Sequence, residues 1–305
     1  MTASAYHIPV LLNEAMKALS ISPDGVYVDC TFGGGGHSRG ILSHLNEHGR
    51  LIAFDQDPDA AANALSDPRF TLIRANFRYL KRFLRLQGVR SLDGVLADLG
   101  VSSYQFDTPE RGFSLRFDAP LDMRMNSEAP QTAAEILNNW PEDELCRIFA
   151  KYGELPHSRR IARAIVRARS SQEILTTGQL NEICKPFCKK NREHHTLAQV
   201  YQALRIEVNQ ELDALKEMLM QCTELVKPGG RLVVISYHSL EDRLVKVFMR
   251  SGNFEDRTEK DFYGNDLSPW RPVSKKAIEP EEAEILSNTR SRSARLRAAI
   301  RTELS

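Results

Sequence analysis

Val26-Tyr-Val-Asp-Cys-Thr-Phe-Gly-Gly-Gly-Gly-His-Ser38 decides how the rest of the chain is read. A short β-branched and aromatic run ends in an acid, Asp29, then breaks into four consecutive glycines before a helical pattern begins. This is the strand, turn and helix start of a nucleotide-type cofactor site. Glycine suits the turn because the backbone must enter positive φ there, and because a Cβ would hold a bulky ligand away from the main chain at the helix N-terminus. About twenty residues on, Leu51-Ile-Ala-Phe-Asp55-Gln-Asp57-Pro58 reads as a second strand ending in an acid. A carboxylate there accepts hydrogen bonds from ribose hydroxyls. The two segments predict a βαβ unit that holds a ribose-bearing cofactor.

The dinucleotide pattern G-x-G-x-x-G fits only loosely, since Gly33-x-Gly35 is followed by Ser38 where a third glycine would pack helix against strand. That weakens a nicotinamide or flavin cofactor. Asp29 followed after Cys30, Thr31 and Phe32 by the glycines is similar instead to the first motif of S-adenosylmethionine-dependent methyltransferases of the Rossmann-like class. A plain tight turn is the competing reading, and the acid at the second strand end weighs against it.

With 305 residues, 42% hydrophobic and 27% charged, the chain has the composition of a soluble protein with two domains, or of one domain carrying a large insertion. Its longest apolar runs, such as Leu232-Val-Val-Ile235, are too short to span a membrane, and the first residues lack a charged region followed by an apolar core. The expectation is a cytoplasmic protein without a membrane partner. Five cysteines spread over this length do not form a disulfide framework. The formal net charge of +1 hides an uneven distribution. From His157 to Arg192 there are nine Lys/Arg against two Glu, a local charge of +7. Ser158 to Arg169 has helical periodicity, with Arg159, Arg163 and Arg167 on one face and Ile161 and Ile165 on another. A second cluster, Arg290, Arg292, Arg295, Arg297 and Arg301, follows an acidic stretch. Either cluster alone can be a solvated face. Beside a cofactor site they favour an RNA or DNA partner, because arginine pairs bidentately with phosphate.

Arg69 to Phe77 and Leu92 to Ser103 read as third and fourth strands, Asp59 to Leu65 and Tyr79 to Gln87 as helical stretches between strands. Alternating β and α units imply a parallel sheet covered on both faces, with the ligand at the carboxyl ends of strands one, two and four, where Gly33 to His37, Asp55 and Asp98 lie. The alternation stops after Ser103. Residues 106–200 hold helical patterns at Thr132–Asn139, Glu142–Tyr152, Arg159–Arg169 and Thr177–Cys188, which predicts an inserted helical substrate-recognition domain between the two halves, 1–105 and 201–305, of a discontinuous catalytic domain. Val208 to Val226 reads as one long helix, Lys227-Pro-Gly-Gly230 as its stop, and Arg231 to His238 as strand five; Pro272–Ile278 and Ser293–Thr302 are candidates for the last two strands.

At this point the motifs resemble a known family. His7-Ile-Pro-Val-Leu-Leu12, Thr31 to Ser38, Asp98-Leu-Gly-Val-Ser-Ser103, Glu110-Arg-Gly-Phe-Ser114, Pro120-Leu-Asp-Met-Arg-Met125, Arg160-Ile-Ala-Arg-Ala-Ile165, Gln202-Ala-Leu-Arg-Ile206, Val208-Asn209 and Ser236-Tyr-His-Ser-Leu-Glu-Asp-Arg243 resemble, in order, those of the ribosomal RNA small-subunit methyltransferase H family. The resemblance extends to Ser293-Ala-Arg-Leu-Arg297 and implies an α/β fold: a Rossmann-like class I S-adenosylmethionine methyltransferase sheet with an inserted helical domain. It implies methyl transfer to N4 of a cytidine in the decoding centre of 16S rRNA, with 16S rRNA or the small ribosomal subunit as partner. A homodimer is one state it leaves open. Cofactor contacts carry over to Gly35, Gly36, His37, Asp55, Phe77, Asp98 and Gln105. The residues agree: the loop amides and His37 can border the methionine part, Asp55 the ribose, Phe77 the adenine face, and Asp98 the transferring methyl. Phe77 is equally at home in a core, and His37 at a helix cap. Cys30 departs from the glycine or alanine more usual there, and Gln199 stands where the family has an arginine.

The exocyclic nitrogen of cytosine is a poor nucleophile because its lone pair is delocalised into the ring. An enzyme must align it with the sulfur–methyl bond and accept hydrogen bonds from its NH2 group. Asp98 is the candidate acceptor, and Tyr237 with His238 are candidates to stack on or bond the base; His238 as a structural residue is the alternative. The arginine face of Arg159, Arg163 and Arg167 is the candidate RNA clamp. Cys184-x3-Cys188 with His194 and His195 matches no standard zinc finger, so no metal is expected. The competing functions are a small-molecule N-methyltransferase, an NAD-dependent oxidoreductase and a non-catalytic RNA-binding ribosome-assembly factor.

Overall fold

Seven strands make one sheet in the computed structural model, which describes residues 9–303 apart from Lys189, Glu259 and Asn265. His7 and Ile8 of the first motif lie outside the described residues. The strands are β1 (Val26–Asp29), β2 (Arg50–Asp55), β3 (Phe70–Arg74), β4 (Leu92–Asp98), β5 (Val226–Ser236), β6 (Trp270–Pro272) and β7 (Arg295–Arg301), in the spatial order β3-β2-β1-β4-β5-β7-β6. The helices are α1 (Leu12–Leu19), α2 (Gly36–Leu42), α3 (Leu80–Leu86), α4 (Ser103–Asp107), α5 (Ala133–Asn139), α6 (Glu142–Lys151), α7 (Ser158–Arg169), α8 (Thr177–Cys184), α9 (Glu193–Asn209), α10 (Glu211–Leu225), α11 (Ser239–Ser251) and α12 (Glu282–Ser287).

The chain divides into two compact units, Met1–Gly100 with Leu212–Ser305, and Val101–Glu211. The first holds the sheet. Its strands run parallel from β3 to β5, and β7 pairs antiparallel with both β5 and β6. Neighbouring strand residues alternate between two cores: Val28, Ile52, Val95 and Val234 pack with Leu84, Met218 and Phe248, while Tyr27, Leu51, Leu96 and Val233 pack with Met16, Leu19 and Ile41. Burial on both faces explains why these strands read as continuous apolar runs. The order reverses at β1 and β4, which opens a crevice at their carboxyl ends.

The second unit is helical, and its starts are written in the sequence. Ser102/Gln105, Thr132/Glu135 and Thr176/Gln179 form reciprocal capping boxes at α4, α5 and α8. Ile136, Leu145, Ile148, Phe149, Ile161, Ile165, Leu180, Val200 and Leu204 are among its buried residues.

Several elements differ from their expected bounds. The helical unit is longer than 106–200 because α9 is one unbroken helix across residue 200 and ends only where Gln210 turns left-handed at φ 50°. The same turn splits the helix expected over Val208–Val226, and α10 starts afresh after it. The alanine-rich stretch after β2 is a 3-10 turn, Pro58–Asn63, in which only Ala60 is buried and no apolar face holds a full helix. Strand five begins at Val226, with Lys227–Gly230 bulging between the Leu92↔Val226 and Gly94↔Arg231 pairs. Beyond Pro272 the chain leaves the sheet through the exposed Ser274–Lys276 and touches it again at the single Ile278↔Leu296 bridge, so β6 has three residues instead of seven.

Candidate active site

The turn after β1 is built by glycines that differ in role. Gly33 and Gly35 take φ 51° and 73°, a backbone region open chiefly to glycine. A Cβ on Gly36 would meet the Pro9 ring at 2.9 Å, whereas one on Gly34 would meet nothing within 4 Å. Gly34 is therefore the point where a ligand can approach the main chain. Where the dinucleotide pattern wants its third glycine, Ser38 is fully buried and donates to Asp29 Oδ2 at 2.7 Å, and Thr31 N donates to Oδ1 at 3.1 Å. Asp29 thus ties the turn to the strand it follows.

Asp55, at the end of β2, closes the same junction. Its Oδ2 accepts from Gly33 N at 2.7 Å and its Oδ1 from Asp57 N at 2.8 Å. Each oxygen keeps a second lone pair for a ribose hydroxyl. Burial pushes its carboxyl up to about 6, against the hydrogen bonds from Asp57 and Gly33. Phe77 opens a 3-10 turn after β3 and is half-buried against the sheet core, so only part of its ring is free to face a ligand.

Asp98 ends β4, where Thr31 Oγ1 accepts its backbone N–H at 2.7 Å. Its Oδ1 accepts from the Tyr237 hydroxyl at 2.8 Å, and its Oδ2 lies 3.6 Å from His37 Nδ1. The side chain keeps 23% of its surface open, yet dense packing on its other sides pushes the carboxyl up to about 6, opposed by His37 and the Tyr237 hydroxyl. The Tyr237 phenol is driven well above its ordinary range by burial and by Asp98. His37 is 5% exposed, with Nε2 3.0 Å from the Val10 carbonyl. Nε2 is placed to donate to that carbonyl, and Nδ1 is the ring atom that faces Asp98. Asp29, Asp55 and Asp98 all have raised pKa values from burial. Two partly open acids, Asp55 and Asp98, beside an open glycine loop fit a ligand that brings ribose hydroxyls and a positive charge. S-adenosylmethionine is such a ligand.

His238 caps the helix that follows β5. Its Nδ1 accepts from Glu241 N at 3.4 Å as the cap of α11, and its Nε2 lies 3.2 Å from Glu241 Oε1. Both ring nitrogens face Glu241 and the side chain is 9% exposed, a geometry that serves the helix start. Tyr237, beside it, donates its hydroxyl to Asp98. That link was not legible in the sequence, because it joins residues 139 apart.

Gln105 belongs to the second unit, where its side chain accepts from Ser102 N at 3.1 Å and completes the α4 capping box. On α7, Arg159, Arg163 and Arg167 are all exposed; Arg163 lies 3.5 Å from Glu142, a pair open to water. The C-terminal arginines are largely taken up in the first unit. Arg297 and Arg295 reach Asp242 at 2.6 and 3.4 Å, and Arg301 donates to the carbonyls of Thr223 and Pro269. Among the described residues, Cys184, Cys188, His194 and His195 do not gather at ligating distance; Cys188 Sγ points to the Cys184 carbonyl at 3.5 Å. No helix among the described residues is long and apolar enough to cross a membrane.

The sequence profile described as the MraW methylase family matches residues 4–302. A protein of Bacteroides fragilis named Ribosomal RNA small subunit methyltransferase H is 58% identical over 296 residues, 97% of each chain. Proteins of the same name from Bacteroides thetaiotaomicron and Flavobacterium johnsoniae are 59% and 55% identical, over 96% and 98% of this chain and 97% and 98% of their own. Among solved structures, one titled as a putative rRNA-methylase from Clostridium thermocellum pairs with 97% of this chain and 99% of its own at 13% identity and a TM-score of 0.46, too weak a likeness to add to the strand order.

Proposed function

The chain belongs to the MraW methylase family, and from that premise we propose that it transfers a methyl group from S-adenosylmethionine to N4 of a cytidine in the decoding centre of 16S ribosomal RNA. What carries the reading within the molecule is the junction at the ends of β1, β2 and β4, where the open glycine loop, Asp55 and Asp98 come together. When bound there, S-adenosylmethionine supplies an electrophilic methyl group on a cationic sulfur.

Gly34 admits the ligand to the main chain, and Asp55 holds the ribose hydroxyls. Asp98 serves twice. Ionised, it is the counter-charge to the sulfonium, and its Oδ2 accepts a hydrogen bond from the cytosine amine, which localises the nitrogen lone pair. The methylated nitrogen is strongly acidic and releases its proton without a strong base; Oδ2 receives it, with His37 Nδ1 3.6 Å behind. Tyr237 and His37 are positioning residues that fix the rotamer of Asp98. His238 holds the start of α11. Phe77 is a further proposed cofactor contact within the sheet unit, and Arg159, Arg163 and Arg167 are the proposed phosphate contacts of the helical unit. With that substrate, the proposed location is the cytoplasm.

Small subunits from cells lacking the gene, incubated with the purified chain and S-adenosylmethionine, should gain N4-methylcytidine in the decoding-centre fragment by mass analysis. A fragment of unchanged mass would sink the proposal. The cofactor part is checked separately: S-adenosylmethionine should raise the melting temperature and NAD should not.

A further inference from the structure

One peptide unit of the sheet unit carries two contacts that join distant parts of the chain. Between Val10 and Leu11, the carbonyl lies 3.0 Å from His37 Nε2, and the N–H donates to Glu284 Oε1 at 2.8 Å, across 273 positions of sequence. A peptide is planar, so an aim imposed on its N–H is imposed on its carbonyl as well. Leu11 sits at φ 53° with its side chain buried, and it caps α1 without a side-chain hydrogen bond of its own. That backbone region disfavours a bulky residue. Flipping the plane would return Leu11 to negative φ and turn the carbonyl away from His37, so the observed orientation has to be held. Its N–H is held by Glu284.

Glu284 is itself anchored. It lies half-buried on α12, and its carbonyl accepts from Asn288 N at 2.7 Å. Asn288 caps the 3-10 turn Thr289–Ser293, where the fully buried Ser291 donates to the Asn288 carbonyl at 2.7 Å, and Ala294 leads directly into β7. The carboxylate is thus carried by the strand that pairs with β5, and it reaches across to the start of α1. Its charge is also felt beside Asp98: burial first, then Asp98, Glu241 and Glu284 push the Tyr237 phenol well above its ordinary range.

We propose that Glu284 is a positioning residue for methyl transfer: by fixing the peptide between Val10 and Leu11, it sets the face that His37 turns to Asp98. The assignment rests on the RNA-methylating reading above and adds a residue of the C-terminal segment to the support of Asp98. The link is a hydrogen bond, so two conservative variants of the full chain separate it from an effect of charge. Glu284→Gln keeps an acceptor oxygen at the same reach and removes the charge. Glu284→Asp keeps the charge and withdraws the acceptor by one methylene.

With small subunits from cells lacking the gene and saturating S-adenosylmethionine, Glu284→Asp should lower kcat about ten-fold, the scale of a small misplacement in a reacting site, and leave KM for subunits within about two-fold of wild type. Glu284→Gln should keep the wild-type kcat. The reverse pattern, or wild-type kcat in both variants, overturns the proposal. Nitrogen NMR of the chain with isotope-labelled histidine needs no methyl transfer, so it decides the geometry even if the function reading fails. The His37 ring, assigned by its loss in His37→Gln, should show one proton fixed on Nε2 in the wild type and in Glu284→Gln. In Glu284→Asp its resonances should move toward the average of the two tautomers. Unchanged His37 resonances in Glu284→Asp overturn the link, whatever happens to the melting temperature of that variant.

Discussion

Asp98 is where the chemistry and the fold compete most directly. Its carboxyl is buried enough to titrate at about 6 instead of 3.8, while Tyr237 and His37 hold it in one rotamer. Asp98→Asn keeps the shape and the Tyr237 contact but removes the charge. It should lower the single-turnover rate at least a hundred-fold, about 3 kcal/mol, with subunit affinity little changed; a wild-type rate at saturation would remove Asp98 from the reaction. The raised values of Asp55 and Asp98 also set a pH dependence. Because the folded chain binds these protons more tightly than the unfolded one, their stabilisation is full below pH 4 and is lost as pH rises through 6, by about 3 kcal/mol for each group. A cationic ligand offsets that loss by favouring ionised Asp98. The rise in melting temperature with S-adenosylmethionine should therefore be larger at pH 7.5 than at pH 5, whereas the product S-adenosylhomocysteine, whose sulfur is neutral, should show little such gain. Equal pH dependence for the two ligands would exclude Asp98 as the counter-charge. Asp55 and Asp98 were legible in the sequence because each ends an apolar strand run. The contacts of Tyr237 and His238 were not, since neighbours in sequence point to different partners, one to Asp98 and one to Glu241.

The loop between β1 and α2 shows that consecutive glycines are not equivalent. Gly36 has no room for a Cβ against Pro9, so Gly36→Ala should cost about 1–3 kcal/mol of stability through overpacking. Gly34 faces open space without positive φ, so Gly34→Ala should leave the melting temperature of the free protein within about a degree while weakening S-adenosylmethionine about ten-fold or more. Isothermal titration and thermal melts of the two variants separate these effects; tight cofactor binding by Gly34→Ala would show that the ligand enters elsewhere. Elements with a strong local signal were legible: the doubly buried strands, and the helices opened by Ser102, Thr132 and Thr176 caps. Elements decided by one backbone angle or by tertiary pairing were not. Gln210 ends a helix that its sequence would continue, and β6 stops where Pro272 is followed by the exposed Ser274–Lys276.

Across the whole molecule, charge is divided between the units in different ways. In the sheet unit the arginines near the C-terminus are mostly spent on Asp242 and on main-chain carbonyls, which makes that cluster part of the fold. Burial works against Asp242, yet Arg297 and Arg295 hold its carboxyl below the ordinary range. In the helical unit Arg159, Arg163 and Arg167 stand exposed on α7, and the Arg163–Glu142 pair at 3.5 Å is the surface kind worth about 0–1 kcal/mol. Such a stripe contributes little to stability and is free to meet phosphate. Replacing all three by Gln should therefore leave the melting temperature nearly unchanged, leave S-adenosylmethionine affinity as it was, and weaken binding to the small subunit. The salt dependence is the sharper readout. If each arginine neutralises one phosphate, the slope of log K against log salt should flatten by about two to three, because fewer counterions are released. A variant that loses thermal stability but keeps the wild-type affinity and slope would make the stripe a brace for α7, and the contact with RNA would have to lie on other residues.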